Sequence, residues 1–204
     1  MLSATLRRAQ GYNFNALDNF NAFNAVKHST TILSVRKGGS VVLIGDGQVT
    51  AGSMICKPNA KKIRRLGNNT LTGFAGSAAD CLTLADRLER KLEIYPGQIL
   101  RASVELAKEW RSDRALRHLS AMLIVADENL TLELNGSGDV MEMDGGVMSI
   151  GSGSAFARAA ALALMDSNLS AREIAEKSMK IAAQLCCYTN TNFVIEEITC
   201  KQSP

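Results

Sequence analysis

Short runs of aliphatic residues separated by glycine turns begin near residue 31 and recur along the chain. Residues 31–36 and 41–46 are rich in Ile, Val and Leu and are joined by Lys37-Gly38-Gly39-Ser40, so they predict a β-hairpin. Residues 121–126 are almost wholly apolar, which is the pattern of a buried strand. Similar patterns predict further strands at residues 50–56, 70–76, 130–135, 140–143, 147–150 and 193–199.

Apolar residues at helical spacing lie between these strands, in two pairs of segments. Leu84 and Leu88 continue such a period after Ser77-x-x-Asp80, which resembles a capping box. The second pair begins after Gly151-Ser152-Gly153-Ser154, and its last helix starts at another capping box, Ser170-x-x-Glu173. We expect the four helices to end before Pro96 and near residues 116, 165 and 187.

The order of elements is strands, two helices, strands, two helices and a last strand. Because the helices come in pairs and the strands between them are linked as hairpins, a parallel βαβ arrangement is disfavoured. Two antiparallel sheets that face each other, with a helix pair on each outer face, would bury all the apolar faces. The sequence therefore predicts an α+β domain over residues 30–204, preceded by a leader at residues 1–29.

Composition and charge narrow the class of protein. The chain has 204 residues, of which 46% are hydrophobic and 21% charged, and no apolar run reaches the roughly 18 residues of a membrane span. The net charge is +3. The leader carries +2, from the basic residues Arg7, Arg8 and Lys27 and the acidic residue Asp18, so the remainder carries +1. A nearly neutral domain lacks the concentrated basic face of a nucleic-acid-binding protein.

The five cysteines predict neither a disulfide framework nor a zinc site. Their number is odd, two are adjacent, and none forms a CxxC pair or has a suitably spaced histidine. We interpret them as reduced thiols that pack as small apolar groups. They are Cys56, Cys81, Cys186, Cys187 and Cys200.

The leader at residues 1–29 has an early arginine pair, a single acid and no continuous apolar core. This composition is typical of an organelle transit peptide and not of a secretory signal. It predicts import into the mitochondrial matrix. The alternative is an N-terminal tail without a targeting signal, and the protein would then be cytoplasmic.

Several familiar catalytic motifs are absent from the sequence. It has no Walker A loop, no GxSxG elbow, no HExxH and no complete GxGxxG, so any ATP hydrolysis must be carried out by a partner. Its two histidines are His28, in the leader, and His118, which follows an arginine-rich helix end. Neither favours a Ser-His-Asp mechanism.

Thr30 is the candidate nucleophile. A hydroxyl at neutral pH needs a base, and a threonine at the N-terminus has its own α-amine, with an unperturbed pKa of about 7.7–8.0, within reach. A neighbouring ammonium that is fixed by a carboxylate would lower the pKa of this amine. Asp46 and either Lys61 or Lys62 could supply that pair, and spacing alone does not choose between the two lysines.

Longer stretches resemble the HslV family, the peptidase subunits of the bacterial-type HslVU (ClpYQ) protease. These stretches cover about residues 30–198 and include TTILSVRKGGSVVLIGDGQVT, KKIRRL, GFAGSAAD, IGSGSAFARAAA, LSAREIAEKSMKIA and YTN. HslV is related to the proteasome β-subunits and is an N-terminal-nucleophile (Ntn) hydrolase. The resemblance implies a four-layer αββα sandwich, which agrees with the order of elements derived above.

The resemblance also assigns roles to residues. It implies that Thr30, the first threonine of the TT pair, is the nucleophile, and that Lys62 and Asp46 are the essential lysine and aspartate. The oxyanion donor would be the backbone N–H of Gly73 in GFAG. Ser152 of IGSGS would hydrogen-bond the terminal amine, and it could also serve as a plain helix N-cap.

The family further implies a cation held by carbonyl oxygens near the end of the last helix. The corresponding positions are Ala183, where the family usually has glycine, Cys186 and Thr189. Carbonyl oxygens are hard ligands that suit Na⁺, K⁺ or Mg²⁺.

The family resemblance implies partners as well. We expect two stacked hexameric rings, capped by an HslU-type AAA+ ATPase that feeds unfolded proteins to the sites. The leader departs from bacterial relatives and must be cut after Ser29, where proteasome β precursors usually have glycine, so a processing peptidase is favoured over self-cleavage. The alternatives are a proteasome β-like subunit in a seven-fold ring and a catalytically silent ring component whose leader is retained.

Overall fold

The computed structural model describes residues 30–67, 69–114, 116 and 121–200. The predicted leader, His28 and His118 lie outside these residues. The described strands are β1 (Thr31–Lys37), β2 (Ser40–Gly45), β3 (Val49–Ala51), β4 (Met54–Lys57), β5 (Ile63–Leu66), β6 (Thr70–Gly76), β7 (Ala121–Ala126), β8 (Thr131–Asn135), β9 (Val140–Glu142), β10 (Val147–Gly151) and β11 (Val194–Thr199). The described helices are α1 (Ala78–Ile94), α2 (Ile99–Ser112), α3 (Ser154–Leu164) and α4 (Ala171–Leu185).

The strands form two main antiparallel sheets. The first has the order β10-β1-β2-β11, and the second has the order β5-β6-β7-β8-β9. Every neighbouring pair is antiparallel, and β3 pairs with β4 as a separate two-stranded ribbon. The prediction of two antiparallel sheets is confirmed.

Alternation along β1 shows how the first sheet divides the core. Ile32 faces the second sheet and packs in one apolar cluster with Ile124. Leu33, the next residue, faces the opposite way and packs with Ala157 of α3 and Met179 of α4. Because successive side chains of a strand point to opposite faces, this sheet is buried on both sides.

A third apolar cluster covers the outer face of the second sheet. Leu84 and Leu88 of α1 pack with Leu106 and Trp110 of α2 against Leu123 of β7. The molecule therefore has four layers, with one helix pair, two sheets and a second helix pair. This is the αββα sandwich that the sequence predicts.

The region between β2 and β6 differs from the prediction. The single strand predicted at residues 50–56 is a tight hairpin, because the chain turns at Gly52 with a φ of +58°. Strand β5 was not predicted. Its two arginines are exposed, and only Ile63 and Leu66 at its ends are buried, so it has no visible alternation.

Helix ends follow the predicted signals in part. Ser170 accepts a hydrogen bond from the Glu173 N–H, and the Glu173 side chain accepts one from the Ser170 N–H, so this capping box is confirmed. Ser77 is the N-cap of α1 but makes no side-chain capping bond. Helix α2 ends at Ser112, earlier than predicted, because Asp113 is extended. None of the described helices has the length and apolar character needed to cross a bilayer.

Candidate active site

A buried carboxylate organises the end of the first sheet. Asp46 directly follows β2 and has no exposed surface. Its Oδ1 accepts hydrogen bonds from the Thr31 N–H at 2.8 Å and the Lys62 ammonium at 2.9 Å, and its Oδ2 accepts one from the Gln48 N–H at 2.9 Å. Both oxygens of the Asp46 carboxylate thus accept hydrogen bonds, which offset the cost of burying its charge.

Lys62 directly precedes β5, and its side chain is only 9% exposed. Besides Asp46, its ammonium donates to the Gln48 carbonyl at 2.5 Å. Burial lowers the pKa of Lys62 below 10.5, although the attraction of Asp46 opposes this shift. Lys61 is exposed, so the structure resolves the choice that spacing left open and places Lys62 on Asp46.

Thr30 lies beside this ion pair. It immediately precedes β1, is 4% exposed, and lines an open cleft of about 220 Å³ together with Lys62. Its carbonyl accepts a hydrogen bond of 2.7 Å from the Ser152 N–H. The structure therefore brings together three of the predicted catalytic residues and holds the Thr30 backbone in place through Ser152.

The rest of the cleft is lined by both apolar and basic residues. Val49, Phe74, Cys81 and Leu82 contribute apolar surface, whereas Lys57, Lys61 and Arg64 contribute positive charge. Burial, with the nearby Asp80 carboxylate adding to it, raises the pKa of the Cys81 thiol to about 11. At neutral pH Cys81 is therefore a protonated part of the wall and not a nucleophile.

Gly73 does not lie where the family resemblance predicts an oxyanion donor. It is in the middle of β6, opposite Ile63 of β5 and Ile124 of β7. The Phe74 N–H points to the β5 side of β6 and donates to the Lys62 carbonyl. Because successive N–H groups of a strand point to opposite sides, the Gly73 N–H points to β7. Its α-carbon packs against Ile32 between the sheets. Gly73 is therefore not placed to donate to an oxyanion at Thr30.

Gly76 ends the same strand and lies in the cleft. It is one of the residues that line the cleft with Thr30, and its φ of +136° is one that glycine adopts easily. It stands two residues after Phe74, so its N–H is on the β5 side of the strand, which is the side of Lys62. Of the two glycines in GFAG, Gly76 and not Gly73 therefore lies in the cleft with its N–H on the side of Lys62.

Ser152 belongs to the turn between β10 and α3. Helix α3 begins at Ser154 and its N-cap is Gly153, so the interpretation of Ser152 as a plain N-cap is wrong. Ser152 is exposed, and its backbone bond to the Thr30 carbonyl places it next to Thr30.

The three predicted cation ligands lie together at the C-terminal end of α4. The helix ends at Leu185, Cys186 is its C-cap, and the Thr189 N–H donates to the Cys186 carbonyl at 3.0 Å. The last carbonyls of a helix lack partners within it and carry the negative end of its dipole. This segment therefore fits a hard cation. The described residues contain no group of three His, Cys, Asp or Glu side chains suited to a metal.

The loop after α4 supports the site in a way that sequence reasoning missed. The Asn190 side chain accepts from the Gly47 N–H at 3.1 Å and donates to the Pro58 carbonyl at 2.8 Å, and Gln48 donates to the Cys187 carbonyl at 2.9 Å. The bonded residues are more than 130 positions apart, so spacing gives no sign of them. The only signal was the family motif YTN, which contains Asn190.

Comparisons with known proteins agree on one family. A family model described as "Proteasome subunit" matches residues 26–198, which include the whole cleft. The chain is 56% identical over 180 residues to "ATP-dependent protease subunit HslV" of Bartonella quintana (strain Toulouse), across 87% of this chain and 93% of that one. A crystal structure of eukaryotic HslV from Trypanosoma brucei superposes with a TM-score of 0.81 at 48% identity, across 83% of this chain and 99% of that one.

Proposed function

The chain belongs to the proteasome family as a threonine protease subunit of the HslV type, and we propose that Thr30 is its nucleophile once the leader is removed. The observation that carries this proposal is the buried Asp46–Lys62 pair on the wall of the cleft that contains Thr30. Without this charge, the wall of the cleft would not stabilise the deprotonated form of the Thr30 hydroxyl. A fixed ammonium favours the alkoxide and lowers the pKa of a neighbouring amine.

The chemistry begins with cleavage of the bond between Ser29 and Thr30, which frees the α-amine. This amine takes the proton from the Thr30 Oγ as the oxygen attacks the carbonyl carbon of the substrate peptide. The protonated amine then gives the proton to the leaving nitrogen, and an acyl ester remains on Thr30. A water molecule, deprotonated by the same amine, hydrolyses the ester and restores the free hydroxyl. We assign to Ser152 the role of holding the amine.

We place the oxyanion donor at Gly76 in preference to Gly73. The cleft position of Gly76 and the direction of its N–H support this assignment. Removing one such donor from an enzyme typically costs about 2.7–4 kcal/mol of transition-state stabilisation. A backbone donor on the end of a strand is held by the sheet and needs no reorganisation during the reaction.

The same family membership supports a set of partners. We propose that the chain forms two stacked hexameric rings and receives unfolded proteins from an HslU-type AAA+ ATPase. The relative from Bartonella quintana is an ATP-dependent protease subunit, whereas this sequence has no Walker A loop, so the ATPase must be a separate chain. Native mass spectrometry should give a dodecamer, and electron microscopy should show six-fold and not seven-fold rings. A monomer that degrades folded protein would reject this assembly.

Two further proposals concern the leader and the C-terminal end of α4. Residues 1–29 are a mitochondrial transit peptide, and fusion of this segment to a fluorescent protein should direct it to the matrix.

The carbonyls of Ala183, Cys186 and Thr189 bind Na⁺, K⁺ or Mg²⁺. Such a cation, when bound, would neutralise the negative end of α4 and stiffen the loop that supports Asp46.

The direct test is Thr30→Ala in the mature protein, assayed for peptide hydrolysis with its ATPase partner. We expect turnover to fall to background, whereas Thr30→Ser, which keeps both the hydroxyl and the amine, should retain measurable activity. Both variants leave the Asp46–Lys62 pair intact, so they should fold alike. Unchanged turnover in Thr30→Ala would remove the mechanism.

A further inference from the structure

Thr31, the second threonine of the TT pair, is hydrogen-bonded through all three of its polar groups. Its N–H donates to Asp46 Oδ1 at 2.8 Å, and its carbonyl accepts from the Asp46 N–H at 3.1 Å. Its Oγ1 accepts from the Gly153 N–H at 2.9 Å and lies 2.7 Å from the Thr189 Oγ1. The residue has no exposed surface, so water cannot replace any of these partners.

Two successive amides of the turn at residues 151–153 therefore hold the first two residues of the strand. The Ser152 N–H binds the Thr30 carbonyl at 2.7 Å, and the Gly153 N–H binds the Thr31 hydroxyl at 2.9 Å. We call this pair of bonds the two-amide clamp. The first bond uses a backbone carbonyl that any residue would offer, whereas the second depends on the hydroxyl of residue 31.

Gly153 packs closely against the hydroxyls of Thr31 and Thr189. A Cβ on Gly153 would lie 2.5 Å from the Thr31 Oγ1 and 2.6 Å from the Thr189 Oγ1. Both distances are too short for real contacts, so only glycine allows the turn to approach the two hydroxyls. Thr189 is also nearly fully buried and follows the end of α4. The clamp thus joins β1, the turn before α3 and the loop after α4.

We propose that Thr31 is a positioning residue, whose hydroxyl, bonded to Gly153 and Thr189, keeps Ser152 in register with Thr30. This inference rests on the proposed function, in which Ser152 holds the amine of Thr30. Without the Thr31 hydroxyl, the turn keeps only one of its two anchors, and the buried Gly153 N–H and Thr189 hydroxyl lose a partner. Ser152 then moves relative to the amine, and a displacement of about 1 Å in a catalytic site can slow the reaction by about 100-fold.

The test compares Thr31→Val, which keeps the shape but removes the hydroxyl, with Thr31→Ser, which restores it. A matched control is Thr131→Val, because Thr131 is 2% exposed and its hydroxyl accepts a bond of 3.0 Å from Arg36. Arg36 lies five residues along β1 from Thr31, roughly 17 Å away at the rise of a strand. The control therefore removes an equally buried, bonded hydroxyl at the far end of the sandwich.

Rates are measured on peptide substrates with the ATPase partner and are expressed per folded, mature chain, as judged by circular dichroism and intact mass. We expect Thr31→Val to lower kcat by about 10- to 100-fold while KM changes by less than about three-fold, because substrate contacts are retained and alignment is lost. Thr31→Ser should stay within about three-fold of the wild type, and so should Thr131→Val. Thr189→Val removes the same hydroxyl pair from the other side and should lower kcat in the same direction. It serves in place of Thr31→Val if that variant does not fold.

The positioning role would be overturned if Thr31→Val, or Thr189→Val in its place, had the same kcat as Thr131→Val. It would also be overturned if Thr31→Ser were as slow as Thr31→Val. Thr30→Ala is assayed in parallel to keep the two hypotheses apart. If Thr30→Ala is inactive and Thr31→Val behaves as the control, only the inference about Thr31 fails. If Thr30→Ala remains active, the proposed function itself fails.

Discussion

Replacing Asp46 by asparagine removes one buried negative charge while the shape of the side chain stays the same. The carboxylate accepts from the Thr31 N–H and the Lys62 ammonium on one oxygen and from the Gln48 N–H on the other. An amide has a single acceptor oxygen, so in either orientation its NH₂ faces at least one of these donors. The Lys62 ammonium also loses its counter-ion in a site where its side chain is 9% exposed.

The expected cost follows from this burial. Removing one member of a buried ion pair typically destabilises a protein by about 3–5 kcal/mol, because an uncompensated charge remains. The free energy of unfolding of a native protein is about 5–15 kcal/mol, so Asp46→Asn should fold but with a clearly reduced margin. We expect peptide turnover to fall by about 100-fold or more as well, because proton transfer to the Thr30 amine loses its electrostatic support.

Urea unfolding of the wild type, both single variants and the double variant Asp46→Asn/Lys62→Met tests this reasoning as a double-mutant cycle. The double variant has no unpaired buried charge, so it should regain about 2 kcal/mol or more relative to the sum of the single changes. Glu196→Gln is the matched control, because its ion pair with Arg65 has the same 2.9 Å length but is 36% exposed on each side. It should cost less than about 1 kcal/mol. A cost of Asp46→Asn as small as that of the control, or additivity in the cycle, would refute the account of the pair.

Three further outcomes follow from the site. Because burial lowers the pKa of Lys62, activity should decline as pH rises through a value below 10.5, and a profile that is flat up to pH 10.5 would contradict this role of the ammonium. Because the pKa of Cys81 is raised to about 11 from 9.0, iodoacetamide should modify it about 100-fold more slowly at pH 8 than an ordinary thiol, as followed by peptide mass mapping. Rapid labelling of Cys81 at pH 8 would show that the wall of the cleft is more open than described. Addition of K⁺ or Mg²⁺ at 100 times its Kd should stabilise the protein by about 2.7 kcal/mol, seen as a higher Tm, and a Tm independent of both cations would argue against the carbonyl site at the end of α4.

The layers of the fold could be predicted because most strands and helices carry their own periodicity. The β1–β2 hairpin and the capping box at Ser170 depend on neighbouring residues, and both are found where the sequence placed them. Strand β5 was missed because its buried residues, Ile63 and Leu66, stand three apart with exposed arginines between them. That pattern matches neither the period of a strand nor a long helix, so only pairing with β6 defines it.

The site was harder to predict because its parts meet only in the folded chain. The spacing of the two adjacent lysines does not distinguish them. The family resemblance favours Lys62, and the folded chain shows Lys62 on Asp46. Likewise, GFAG offers two glycines, and only the alternation of hydrogen bonds along β6 separates Gly73 from Gly76. The contact between Thr31 and Thr189 spans 158 positions and leaves no trace in local spacing.

The proposed hydrolysis requires a free α-amine and a hydroxyl on the same residue, Thr30. Edman sequencing of the active protein, purified from its native source and checked by intact mass, tests this most directly. We expect the mature chain to begin Thr30-Thr31-Ile32-Leu33. Active protein that still carries Ser29, or that begins at any other position, would contradict it.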